Sequence, residues 1–307
     1  MKHTTHAYKP VDYYYVADPS YWPLFGSLGI FSTVLGIVNM LHNHKFGIFL
    51  AFIGILLLAF TIAGWFGAVI KESVAGLHSK QMDRSYRWGM VWFIVSEVAL
   101  FSIFFIALFY TRVFSVPDLG GDSSQIIKDL WMNGSSFTHK LLWPQFKAVW
   151  PLLSNPNPTL FPGPQQVMET WGIPAINTFI LLSSGVTVTW AHWGLKKNHR
   201  KHLVWGLVAT VALGLFFISM QANEYYKAFN EYSLSLHSGI YGSTFYMLTG
   251  LHAMHVTMGV IMLTTILMRC IRGHFVPEHH FAFEAVAWYW HFVDVVWLFL
   301  FLFVYWL

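Results

Sequence analysis

The sequence predicts an all-helical integral membrane protein, and three observations carry that prediction. Of 307 residues, 56% are hydrophobic and only 10% charged, against roughly 25% charged in an ordinary soluble domain. Seven apolar runs of 20 or more residues follow one another, each long enough to cross a hydrocarbon core about 30 Å thick at about 1.5 Å per residue. Lys and Arg concentrate in alternate connections, the pattern that orients helices in a bilayer.

The predicted spans are 22–41, 46–70, 88–111, 172–195, 202–222, 240–268 and 285–307, forming a single membrane domain over 1–307. The first 21 residues are polar and aromatic without an apolar core, so no signal peptide is expected. With the N-terminus inside, the inner connections hold twelve Lys and Arg and the outer ones six. The N-terminus is therefore expected inside and the C-terminus outside. The net charge of +4 is spread over these connections rather than gathered in a patch, so nucleic acid is not an expected partner. A single cysteine, Cys270, excludes an internal disulfide and any multi-thiolate zinc or iron-sulfur site.

In the first span, Gly26, Gly29, Thr33 and Gly36 share one face and would allow close backbone approach by another helix. The connection 113–170 is expected on the outer side and is too rich in Pro for a compact domain. Within it, Leu142, Phe146, Val149, Trp150 and Leu153 recur at helical spacing, which fits either a short surface helix or an irregular lid. No internal repeat of the kind found in inverted-repeat transporters is visible.

Ionisable residues inside the spans mark the candidate sites, because charge in hydrocarbon is costly. Glu97 has Phe93, Ile94, Leu100 and Phe101 as its neighbours one turn away. It is a candidate proton-exchanging group, or else a protonated hydrogen-bond donor to another helix. His252 and His255 lie one turn apart, as do His291 and Asp294, and Glu284 joins the last pair on one helical stripe. Two histidines at that spacing can contribute to a metal or haem site. With 16 histidines in the chain and no HExxH, CxxC or Glu-x-x-His pattern, packed and hydrogen-bonded structural residues are the favoured reading. His78, Arg87, Arg200, Lys201, His202, Arg269, Arg272, His274, His279 and His280 cluster at the inner ends, where they would suit anionic headgroups, topology signals or surface proton collection.

Several stretches resemble subunit III of the haem-copper cytochrome c oxidases. They include DPSYWPL at 18–24, FIVSEV at 93–98, SSGVTVTWAHW at 183–193, QANEYY at 221–226, TGLHAMHVTMG at 249–259, HHFAFEA at 279–285 and WYWHFVDVVWLFLF at 288–301. The resemblance covers most of the chain in order. It implies two helix groups, the first two and the last five, around a lipid-filled cleft. It implies a non-redox subunit that stabilises the catalytic core, binds structural phospholipid and supports proton uptake, with no catalytic residue and no metal of its own. Haem and copper would lie in partner subunits, with subunit I the main contact, subunit II a further partner and cytochrome c the electron donor to the complex.

By the same resemblance, lipid contacts fall on Trp65, Glu72, His78, Arg269 and Arg272, and Glu97 matches a glutamate known to react with a hydrophobic carbodiimide. Gly67 and Ala68 stand where the family often has an Arg-Asp pair. The long outer connection implies a bacterium, and hence a multi-pass protein of its inner membrane. Subunit III of a quinol oxidase, a stand-alone proton-linked transporter using Glu97, and a haem-bearing membrane oxidoreductase are the alternatives.

Overall fold

The computed structural model describes residues 15, 19–121 and 139–307. Seven long helices organise them: α1 (Trp22–Leu41), α2 (Phe46–Val74), α3 (Lys80–Tyr110), α4 (Ile173–Lys196), α5 (Arg200–Asn230), α6 (Ile240–Ile271) and α7 (Phe281–Leu300). α3 continues through a π-helical turn, Thr111–Ser115, into a last turn at Val116–Leu119, and α7 continues as Phe301–Trp306. Each is long and apolar enough to cross a membrane. The only β pairing among the described residues is one bridge between Val276 and His279.

Several helices outrun their apolar stretches. α3 begins at Lys80 rather than 88, and α5 runs on to Asn230 rather than stopping near 222. Hydropathy registers only the part that sits in hydrocarbon. Beyond it, backbone hydrogen bonds inside the helix remain favourable, so a helix 31 residues long reaches about 47 Å and projects past a core of about 30 Å.

The chain forms two compact units, Met1–Gly89 and Met90–Leu307. In the first, α1 and α2 make an antiparallel hairpin that turns through Asn43 in a left-handed conformation (φ 59°). Its seam is built from small residues, with Gly29 and Gly36 buried on α1 and Gly47, Ala51, Gly54 and Thr61 buried on α2. The approach is backbone to backbone, since a Cβ on Gly36 would fall 2.3 Å from the Ala51 nitrogen. The small-residue face predicted on the first span is thus the contact face of α1. Large side chains elsewhere on the hairpin, such as Phe31, Phe49 and Phe66, point outward, as expected where the solvent is lipid rather than water.

In the second unit, α4, α5, α6 and α7 pack in sequence, and α7 also returns to α4. Leu181, Val188, Leu207, Phe217, Trp290 and Trp297 are fully buried at its centre. Both tryptophans satisfy their indole N–H groups across the bundle, Trp290 donating to Ser184 Oγ at 2.8 Å and Trp297 to Thr178 Oγ1 at 2.9 Å. A buried indole without such a partner would lose the free energy of an unmade hydrogen bond.

The segment 139–172 is an irregular lid, and the surface helix over Leu142–Leu153 does not form. After one helical turn at 139–142 the backbone is irregular to Gly172. Pro144 and Pro151 interrupt the run, each lacking the backbone N–H a helix interior requires. The lid is nevertheless tied to the bundle. Phe146 and Leu152 are buried, Asn155 Nδ2 donates to Phe161 O and Ser238 O at 2.8 and 3.1 Å, and Gln165 N donates to Tyr232 O at 2.9 Å. At the end of α3, Arg112 donates to the Leu307 carbonyl and lies over the Trp150 ring.

Candidate functional site

The carboxyl of Glu97 on α3 meets His255 on α6. Glu97 Oε2 lies 2.9 Å from His255 Nε2, with side-chain exposures of 17% and 7%. The other ring nitrogen, Nδ1, sits 2.7 Å from the Leu251 carbonyl. A carbonyl only accepts, so Nδ1 must carry a hydrogen. One proton therefore lies between Nε2 and Oε2, held either on the carboxyl facing a neutral ring or on an imidazolium facing a carboxylate. Both forms are neutral as a pair.

Aromatic rings enclose this pair. Phe101 meets the His255 ring edge-on at 5.1 Å, and Tyr289 stacks beside it at 6.3 Å while its hydroxyl donates to the His255 carbonyl at 3.2 Å. Dry surroundings strengthen the hydrogen bond and make an unpaired member costly.

The remaining sequence-predicted residues do not join it. His252 is fully buried, stacked on Trp297 at 5.2 Å and edge-on to Phe217 at 5.9 Å. His291 faces Asp294 at 3.6 Å and Thr189 Oγ1 at 3.3 Å. Asp294 presses on α4 at Gly185, where a Cβ would come 2.5 Å from its carboxylate. Glu284 lies instead beside His280 at 3.1 Å and His192 at 3.7 Å. His252, His255 and His291 thus each have a different set of neighbours.

The residues expected to contact lipid divide between the two units. Trp65 is exposed on α2, Glu72 is partly exposed about two turns further on, and the His78 ring meets Tyr86 edge-on at 5.3 Å. In the second unit Arg272 is exposed. Arg269 is only 7% exposed, with its guanidinium 4.4 Å above the Phe275 ring. Near it, Arg200 Nη2 donates to the Ile271 carbonyl at 2.5 Å. Outside the spans, the His274 ring is held below the usual histidine range by burial first, then by the charges of Arg269 and Arg272.

Sequence reasoning missed two participants, His192 and Glu224, and the pairing of His280 with Glu284. His192 was visible only within the phrase TWAHW, whereas His280 counted among the histidines at the inner ends and stands at i, i+4 spacing from Glu284, the one local signal of that pair. Glu224, 1% exposed on α5 beside Gln221, belongs to a polar layer in which Asn177 Nδ2 donates to Gln221 Oε1 at 3.3 Å. A carboxyl within the phrase QANEYY at the end of an apolar run was the available signal.

Against known proteins, the family model described as Cytochrome c oxidase subunit III matches residues 12–128 and 140–307. A protein named Cytochrome c oxidase subunit 3 from Arabidopsis thaliana is 39% identical over 294 residues, covering 95% of this chain and 96% of its own. Proteins of the same name from Dugong dugon and Squalus acanthias are 38% and 37% identical over 307 residues, covering 100% of this chain and 99% of their own.

Proposed function

The chain belongs to the cytochrome c oxidase subunit III family, and from that premise we propose that it acts as the accessory, non-redox subunit that steadies the oxidase around its catalytic partner. As a member of that family it is a multi-pass membrane subunit of a respiratory oxidoreductase complex. The finer reading is that subunit I is its main contact, subunit II a second one, and that haem and copper reside in those partners. Cytochrome c then supplies electrons to the complex. The single observation that carries this is the match along the whole chain, relatives included.

Within that role, Glu97 and His255 act as a neutral polar clasp joining α3 to α6. Both forms of the pair are uncharged overall, which suits its apolar surroundings. Its contribution to proton uptake is therefore indirect, through the position of the helices.

Bound phospholipid is the second part of the proposal. An apolar groove between α3 and α7, lined by Phe101, Phe105, Phe109, Phe299 and Phe303, suits an acyl chain. Trp65, Glu72, His78, Arg269 and Arg272 are the proposed headgroup contacts, with the two arginines able to face anionic lipid. The inner membrane of an aerobic bacterium, with the N-terminus inside, is the proposed location, on the strength of the long connection and the Lys and Arg distribution.

The test is an optical spectrum of the tagged chain purified in mild detergent and again after a harsher detergent removes its partners. Haem absorbance should copurify first and leave with the partners. Haem retained by the stripped chain would overturn the accessory reading and return His252, His255 and His291 to consideration as ligands.

A further inference from the structure

At the end of the second unit that carries Lys196, Arg200, Arg269 and Arg272, two helix termini bring three ligand-type side chains together. His192 lies one turn before the end of α4, His280 immediately precedes α7, and Glu284 is in the first turn of α7. His280 Nε2 is 3.1 Å and His192 Nε2 3.7 Å from the same carboxylate oxygen of Glu284. One ligand atom from each of the three residues lies within 4.8 Å of the others.

We propose that His192, His280 and Glu284 bind one divalent transition-metal ion, with zinc the best chemical fit. Three features of the cluster support an ion over a plain hydrogen-bond network. The first is distance. Zinc bonds of about 2.0–2.1 Å to nitrogen and oxygen in a tetrahedral site set neighbouring ligand atoms about 3.3 Å apart, and the two observed edges fall on either side of that value. A swing of the His192 ring closes the third.

The second is unmet hydrogen bonding. Nε2 of His192 and both ring nitrogens of His280 have no hydrogen-bond partner, although His280 is only 8% exposed. The close approach of His280 to the carboxylate is not aligned as a hydrogen bond. Buried imidazole nitrogens without partners are unfavourable, and a lone pair directed at a metal removes that cost. The third is ligand type. Two imidazoles and one carboxylate make up a zinc set that leaves a fourth position for water, whereas calcium and magnesium favour all-oxygen surroundings.

The neighbourhood also sets limits on affinity. The His192 and His280 rings are 5.3 Å apart, and Phe283 shields His192 on another side at 5.3 Å. Lys196 stands one turn beyond His192 on α4, so its charge opposes a cation, and the Glu284 carboxylate offsets it. The ion would therefore be exchangeable. Its structural effect would be to clamp the end of α4 to the start of α7. Zinc has no redox chemistry, so this role does not alter the non-redox character of the subunit.

The test uses the purified oxidase complex, stripped with chelator and then equilibrated with chelator-buffered zinc chloride, with zinc counted per haem by mass spectrometry. The complex carrying His192→Asn, and separately the one carrying His280→Asn, should each retain one zinc fewer than the unmodified complex. Equal zinc content in all three would overturn the proposal. Because a variant can fail to assemble, the structure of the zinc-equilibrated unmodified complex is the second measurement. Metal density between the three side chains is expected there, and its absence would equally overturn the site.

Discussion

Glu97 and His255 stand 158 residues apart in the chain and 2.9 Å apart in space, within hydrogen-bond distance. The second nitrogen of the ring is committed to the Leu251 carbonyl. Any substitution at either position is therefore read by whether the opposing atom keeps a partner.

Glu97→Gln should be tolerated, because the amide can donate to Nε2 in place of a protonated carboxyl. The assembled oxidase is expected to keep most of its initial oxygen-reduction rate and its proton yield per electron. Near-complete loss of turnover with intact assembly would show that a titrating carboxyl is needed.

Glu97→Ala should behave differently. It leaves the nearly buried His255 ring nitrogen without a partner, a loss of about 1–3 kcal/mol. Thermal dissociation of the subunit from the complex should occur at lower temperature than with Glu97→Gln, and equal behaviour of the two variants would contradict the clasp.

At the α1–α2 seam, Gly36→Leu must push the helices apart, since even a Cβ would meet the Ala51 backbone at 2.3 Å. Overpacking of this kind costs about 1–3 kcal/mol or more. The amount of subunit recovered in membranes should fall, whereas Gly67→Leu, where a Cβ would meet nothing within 4 Å, should leave it unchanged.

In the lid, Asn155→Ala removes two hydrogen bonds from one side chain, to Phe161 O and Ser238 O. At about 0.5–1.5 kcal/mol each, the segment 139–172 should open more often. Limited proteolysis of the purified complex should cut there faster, and an unchanged cleavage rate would mean that other contacts dominate.

Arg269→Ala should reduce phospholipid retained by the purified complex, measured as phosphorus per haem. It also removes the cation above the Phe275 ring. Lipid content equal to that of the unmodified complex would exclude Arg269 as a headgroup contact.

The sequence was most informative where a property is local. Span number followed from hydropathy and length, because a helix in lipid satisfies its own backbone and needs no partner to be recognised. The small-residue face of α1 was legible for a related reason: glycines at helical spacing mark close approach whatever helix lies opposite. Helix ends were misjudged where the chain leaves hydrocarbon, as at Lys80 and Asn230. The lid helix was left open by periodicity alone, and two prolines decided against it.

What the sequence determined by itself was thus a seven-span helical membrane protein, its family resemblance, and the short roll of ionisable residues within the spans. Tertiary structure alone decided who meets whom across the bundle: Glu97 with His255, Asp294 with Gly185, and His192 with Glu284, whose own-helix neighbour at i−4 is His280. The physical reason is that these helices are apolar around most of their circumference, so hydrophobic periodicity does not reveal the inward face. Only packing between helices distant in sequence brings their few polar groups to a common point.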